Sequence, residues 1–229
     1  MDWNGEMSEE RTGTPRDERD CGLVEYLIRR ATSSLFYFRL YRWRHPDDPF
    51  YVPAAIRRIE DLLDNNSKVF EWGSGASTLW YARRAASVVS IEHDGGWYER
   101  GISALQEKGL RNVDLLFEPP VDPQADLAPE ASSQIALQDR FPVKPEFSRY
   151  ARKIDEYPDA MFDCIAIDGR ARVDCLAGVM PKISETGFIV LDDSHRPKYR
   201  EIFEILSEWS AERFDFGLLQ TTVFTKQLA

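Results

Sequence analysis

The sequence predicts an α/β protein with a doubly wound, mostly parallel sheet of seven strands that closes in an antiparallel C-terminal hairpin. Three observations carry this expectation. Short apolar runs alternate along the chain with amphipathic stretches of helical period, the pattern of strands buried on both faces beneath crossover helices. The first run, Val69-Phe70-Glu71-Trp72, opens into Gly73-Ser74-Gly75 and then a helix. Such a Rossmann-like turn brings a ligand against bare main chain and the free N–H groups of a helix start. The last two runs, residues 214–216 and 218–225, are separated only by Gly217, which leaves room for a hairpin and none for a crossover.

At 229 residues the chain suits one domain with an appendage and can bury a core without staples. A net charge of -10 makes it a poor candidate for gripping a phosphate backbone, because nucleic-acid affinity rests on Lys and Arg neutralising phosphates. A small-molecule partner is the expectation. No apolar run approaches the ~18 residues that cross a bilayer, and no signal-peptide pattern opens the sequence. Cys21, Cys164 and Cys175 lack metal-type spacing, and Cys164 falls in a predicted core strand as a free thiol, so a reducing cytoplasm fits best.

Residues 1–20 are polar and highly charged, a composition that predicts a disordered tail. Residues 21–50 interleave aromatics with arginines through Leu35-Phe36-Tyr37-Phe38-Arg39-Leu40-Tyr41-Arg42-Trp43. This segment reads as a helical lid or a homodimer contact, with a membrane-surface helix as the alternative. The domain proper spans 51–229. A helix starts at Pro53 with Ile56, Ile59 and Leu63 on one face and stops at Asp64-Asn65-Asn66. After the glycine turn a helix over 76–85 presents Leu79, Ala82 and Ala86. Strand two, Val88-Val89-Ser90-Ile91, ends in Glu92. The next helix turns Tyr98, Ile102 and Leu105 inward with Gly109 as its cap, and strand three covers 113–117. Residues 118–145 form an insertion rich in Pro, Asp, Ala and Ser with little periodicity, a loop whose length reads as functional or disordered. A short helix with Phe147, Tyr150, Ala151 and Ile154 leads to strand four, 162–167, which ends in Asp168-Gly169-Arg170. The helix that follows buries Val173, Leu176, Ala177 and Met180. Gly187 opens strand five, 188–191, which ends in Asp192-Asp193-Ser194-His195, and Pro197 starts a last helix with Tyr199, Ile202, Phe203 and Leu206 inward.

Ligands of open parallel sheets bind outside the carboxyl ends of the strands. Those ends carry Glu71 with the glycine turn, Glu92, Asp168 and the Asp192-Asp193-His195 group. One strand ending in Asp is common as a helix cap. Four strand ends with carboxylates point to a site.

The segments FEWGSGAST, SIEHD, FDCIAIDGRARVDC and GFIVLDDSHR together resemble the class I S-adenosylmethionine-dependent methyltransferases, in a bacterial O-methyltransferase-like branch, over residues 56–225. The caffeoyl-CoA and catechol O-methyltransferases are more distant relatives. The resemblance implies methylation of an oxygen on a small-molecule or sugar-type acceptor. It implies that Glu71, Gly73, Ser74 and Gly75, with Ser77 behind them, cradle the amino-acid part of S-adenosylmethionine. Glu92 would then take the ribose hydroxyls and His93 lie against the adenine, with Asp168 completing the cofactor contacts. Asp168, Asp192 and His195 are the candidate catalytic residues.

In the catechol and caffeoyl-CoA enzymes, carboxylates at the places of Asp168, Asp192 and Asp193 hold a divalent cation. Three carboxylates this close would raise one another's pKa unless a cation or donor sat among them. Here Asp168 is followed by Gly-Arg, which departs from those metal enzymes, and His195 has no counterpart there. A metal-free general base, His195 or Asp168, is therefore the competing expectation. Arg170, Arg172, Arg196 and Lys198 stand near the same strand ends, either to receive an acidic acceptor or as solvated helix starts. Trp72, Trp80 and Trp97 read as core or pocket wall. Two further readings are a non-catalytic domain that binds the same cofactor and a nicotinamide-dependent oxidoreductase. The latter usually wants a third small residue where this chain has Thr78.

Overall fold

The computed structural model describes residues 36–121, 144–217 and 219–227. The tail expected over 1–20, residues 21–35 with Cys21, and the body of the 118–145 insertion lie outside the described residues. The strands are β1 (Lys68–Trp72), β2 (Ser87–Glu92), β3 (Val113–Phe117), β4 (Phe162–Ile167), β5 (Ile183–Leu191), β6 (Trp209–Phe216) and β7 (Leu219–Lys226). They form one seven-stranded sheet in the order β3-β2-β1-β4-β5-β7-β6. The first five run parallel, while β7 runs antiparallel to both β5 and β6. Because β1 lies between β2 and β4, the winding reverses at β1. Such a switch point opens a crevice at the carboxyl ends of the two strands beside it.

Successive strand residues point to opposite faces, and both faces are apolar. Val69, Val88, Cys164, Ala166 and Val190 pack on one side against Ile56 and Ile59 of α2 (Pro53–Leu62) and against Trp80 and Tyr81 of α3 (Ala76–Ala82). Phe70, Trp72, Ile165, Ile167, Ile189 and Leu191 pack on the other. That second face is covered by α5 (Ser148–Arg152), α6 (Arg172–Leu176), α7 (Val179–Lys182) and α8 (Arg200–Ile205). Burying each large apolar side chain stabilises the fold by about 1.5–3 kcal/mol. The indole N–H of Trp72 donates to the Tyr150 carbonyl at 2.9 Å, which fixes α5 over β1 without an unpaired polar atom. Cys164 and Cys175 are both buried free thiols.

Several boundaries differ from the sequence reading. Helix α3 stops at Ala82, and Ser77, Thr78, Trp80 and Tyr81 form its buried face. Leu79 is half-buried and Ala86 exposed, because the two rings fill the space over the sheet. The stretch expected as one helix through Met180 divides into α6 and α7, which turns Val179 inward and leaves Met180 39% exposed. Strand β5 begins at Ile183, four residues before Gly187. Its register against β4 slips there: Phe162 pairs with Ile183, but Cys164 pairs with Phe188. A side chain at Gly187 would sit 2.5 Å from Ile183 and 3.1 Å from the Phe162 carbonyl, so the bulge closes only around glycine. Strand β6 begins at Trp209, well before residue 214.

Of the aromatic segment, α1 (Phe36–Arg44) is described. Tyr41 packs against the α2–α3 face of the core. Its hydroxyl bonds Asp48, and Arg42 donates to the carbonyls of Asp48 and Pro49, pinning the turn that follows. Among the described residues no helix is long and apolar enough to cross a membrane.

Candidate cofactor and acceptor cleft

A cleft of about 550 Å³ opens at the switch point, between the turns that follow β1, β2 and β4. At the end of β1 the chain turns sharply at Gly73, whose φ is +95°. A Cβ on Gly73 would lie 2.9 Å from the backbone N and Cα of Gly169. The two loops therefore touch main chain to main chain, and only glycine lets them. At Gly75 a Cβ would meet nothing within 4 Å. That bare position is the kind of cradle the amino-acid portion of a cofactor fills.

Below the turn, Glu71 is fully buried. Its Oε2 accepts the hydroxyls of Thr78 at 2.6 Å and Ser90 at 2.8 Å. Thr78 Oγ1 in turn accepts the Gly75 N–H at 3.0 Å, so the glycine turn hangs on the carboxylate through one hydroxyl. Among the described residues Oε1 has no partner. Burial pushes the Glu71 pKa up to about 7, against the pull of the Ser77, Thr78 and Ser90 hydroxyls.

Glu92, at the end of β2, closes the same turn from the other side. Its Oε2 accepts from the Ser74 N–H at 2.9 Å and the Ser74 hydroxyl at 2.8 Å. Its Oε1 accepts from the N–H groups of His93 and Asp94, each at 2.8 Å. Burial works to raise its pKa, but the donors of His93, Asp94 and Ser74 outweigh burial and hold the carboxyl below the ordinary Glu range. Asp94 also caps α4 (Gly95–Lys108), accepting from the Trp97 N–H at 2.9 Å, and this sets the Trp97 ring on the cleft wall. His93 lies on the same wall, edge-on to Phe147 and Tyr150.

At the end of β4, Asp168 meets Arg172 rather than an open coordination site. Arg172 Nη2 donates to Asp168 Oδ1 and to its carbonyl, each at 2.9 Å, and Nε donates to the Gly169 carbonyl at 3.0 Å. Nη1 reaches the Asp192 carbonyl. Burial lifts the Asp168 pKa to about 7 although Arg172 opposes it, with Glu71 and Asp193 adding repulsion. Asp192 is pushed well above the usual carboxylate range by burial and by Asp168 and Asp193.

Of the residues singled out in the sequence, Gly73, Ser74, Glu92, His93 and Asp168 line the cleft. Glu71, Gly75 and Ser77 stand directly behind or after the turn. Asp192, Asp193 and His195 do not line it. Their turn is anchored on β7: Thr221 Oγ1 donates to Asp192 Oδ1 at 2.8 Å, and the Ser194 N–H donates to the Gln220 carbonyl at 3.0 Å. Asp193 takes a left-handed φ of +50° and pairs with Arg196 at 2.6 Å. Among the described residues no group of three or more His, Cys, Asp or Glu side chains is placed to hold a metal ion. A guanidinium stands among Asp168, Asp192 and Asp193, so this donor set does not fit the divalent cation that the resemblance to the catechol and caffeoyl-CoA enzymes suggests. The sequence offers Arg172 as a ligand for an acidic acceptor or as a solvated helix start, whereas it is 7% exposed and paired with Asp168. Its spacing of four from Asp168 was the one available signal.

No protein-family profile matches the sequence, and no curated protein is similar to it in sequence. Solved structures are similar in fold. A candidate methyltransferase from Streptococcus mutans in complex with SAH superposes with a TM-score of 0.53 at 10% identity, over 76% of this chain and 98% of that one. An rRNA methylase from Streptococcus thermophilus gives 0.51 at 10% identity, over 74% and 92%. A methyltransferase-like protein from Silicibacter pomeroyi gives 0.50 at 19% identity, over 77% and 88%. At such identities the likeness speaks for the fold.

Proposed function

We propose that this chain, which has the fold of the class I S-adenosylmethionine-dependent methyltransferases, transfers a methyl group to an oxygen of a small acceptor. The observation that carries the reading is the glycine turn held between two carboxylates in different states. Glu71 beneath it keeps a buried, unpartnered Oε1, suited to an ammonium group. Glu92 beside it is held ionised, suited to hydroxyl donors.

These residues fit the cofactor. The main chain of residues 73–75 would receive its carboxylate end and Glu71 Oε1 its ammonium. Glu92 would take the ribose, exchanging the Ser74 hydroxyl bond for ribose donors, while His93 and Trp97 border the adenine. Bound S-adenosylmethionine supplies an electrophilic methyl group on a sulfonium, so the protein's share is chiefly positioning. Asp168 lines the cleft with a pKa near 7, where a carboxylate can accept a hydroxyl proton at neutral pH. That favours oxygen as the nucleophile. Arg172 holds the carboxylate in place. The buried free thiols Cys164 and Cys175 suit a reducing cytoplasm.

Calorimetric titration with S-adenosylhomocysteine, with NAD as comparison, tests the reading. The expected result is micromolar binding of the former and none of NAD. Glu92→Ala should weaken S-adenosylhomocysteine binding about 10- to 150-fold. Binding of NAD alone, or an affinity untouched by Glu92→Ala, would overturn the assignment.

A further inference from the structure

The β4 and β5 ends give the cleft a wall of cations: Arg170, Arg172, Arg196 and Lys198. Two of them are already engaged. Arg172 donates to Asp168, Gly169 and Asp192, and Arg196 pairs with Asp193 at 2.6 Å. Among the described residues Arg170 and Lys198 have no carboxylate partner, although both line the cleft. Lys198 Nζ lies 4.9 Å from the centre of the Tyr199 ring, and the Arg172 guanidinium lies 5.2 Å from the same ring. The lysine is thus held on the wall beside a fixed guanidinium. Burial and then the charges of Arg196, Arg172 and Arg170 press the Lys198 pKa below the ordinary Lys value, with Asp193 pulling the other way. Four like charges share this wall, and of them Arg170 and Lys198 have no carboxylate paired with them among the described residues.

We propose that this wall receives a phosphate group on the acceptor, with Arg170 and Lys198 as its ligands and the acceptor's hydroxyl turned towards Asp168. The proposal rests on the methyltransferase reading and names the substrate class of that same cleft: a small phosphorylated molecule. A single carboxylate is satisfied by one arginine fork, whereas two unpaired cations beside two engaged ones match the higher charge of a phosphate monoester. A nucleic-acid strand fits less well. Asp174 and Glu201 also line the cleft, and the whole chain carries a net charge of -10, so phosphates running beyond the pocket would be repelled.

The test uses the full chain, wild type and the double variant Arg170→Ala/Lys198→Ala, each titrated with S-adenosylhomocysteine. Inorganic phosphate and malonate are then titrated into the cofactor-saturated proteins at low salt and followed by calorimetry. Wild type should bind phosphate more tightly than malonate, and the double variant should bind phosphate at least about tenfold more weakly with S-adenosylhomocysteine affinity unchanged. The charge-preserving pair Arg170→Lys/Lys198→Arg should retain phosphate binding, which separates loss of charge from loss of structure. Equal phosphate affinity in wild type and the alanine variant, no phosphate binding at all, or a preference for malonate would overturn the proposal. Failure of wild type to bind S-adenosylhomocysteine would instead remove the methyltransferase reading. A phosphate affinity that still depended on Arg170 and Lys198 would then support the anion site alone.

Discussion

Arg172 Nη2 stands 2.9 Å from Asp168 Oδ1 and 3.7 Å from Asp193 Oδ2, a buried guanidinium at the point where three strand-end carboxylates converge. Its charge opposes the burial and mutual repulsion that raise the pKa values of Asp168 and Asp192. The same helix start supplies α6, so Arg172 joins the β4 and β5 turns into one unit.

Arg172→Met should therefore destabilise the fold by about 3 kcal/mol, since removing one partner of a buried pair leaves the other uncompensated. For a chain of this size that is a drop in Tm of roughly 6–12 °C. Magnesium should leave the wild-type Tm unchanged and raise that of Arg172→Met, where a cation can take the vacated position. Thermal melts with and without magnesium read both effects. A wild-type Tm raised by magnesium would show that the carboxylates open to a metal despite the arginine.

Glu71 and Asp168 set a pH dependence of definite sign. Burial lifts Glu71 from 4.5 to about 7 and Asp168 from 3.8 to about 7. Between about pH 4 and 7 the native state keeps protons that the unfolded chain has released, so stability falls as pH rises through that window. Glu71→Gln removes one contributor, worth up to about 3 kcal/mol across the window. Melts from pH 5 to 8 should show the wild-type Tm falling with pH and a shallower fall in Glu71→Gln. Parallel slopes would mean that Glu71 is ionised in the fold throughout.

The parallel core was legible because β1 to β4 are short, mostly apolar runs bounded by turn residues, the pattern of strands covered on both faces. The start of β5 was not. Ser184-Glu185-Thr186 is polar and reads as a turn, yet it forms the bulge that pairing with β4 imposes. The first half of β6 escaped for a related reason: an outer strand such as Trp209-Ser210-Ala211-Glu212-Arg213 faces partly to solvent and shows no strong alternation. At the site, the glycine turn and its carboxylates declared themselves through residue type and spacing. Arg172 did not, because its Asp192 partner lies 20 residues on and only the neighbouring of β4 and β5 brings them together. Asp192 and His195 follow the end of β5 as expected, but the Ser194 and Thr221 bonds draw their turn to β7 and away from the cleft wall.

Gly73 and Gly75, two residues apart, should separate folding from ligand binding. At Gly73 the backbone is left-handed, and an added methyl would lie 2.9 Å from Gly169. Gly73→Ala must therefore strain φ and push apart the β1 and β4 turns, with a loss of stability of about 2 kcal/mol or more. At Gly75 φ is 169°, extended backbone that alanine adopts, and the methyl would project into open space. Gly75→Ala should leave the Tm within a few degrees of wild type, yet place the methyl where the cofactor's amino-acid end is proposed to lie. Its S-adenosylhomocysteine affinity should fall at least about tenfold, a difference of about 1.4 kcal/mol. Melting curves and calorimetric titrations on the two variants together distinguish the roles. If Gly75→Ala bound S-adenosylhomocysteine as tightly as wild type, the bare face of the turn would be a structural bend, and the cofactor's amino-acid end would have to lie elsewhere in the cleft.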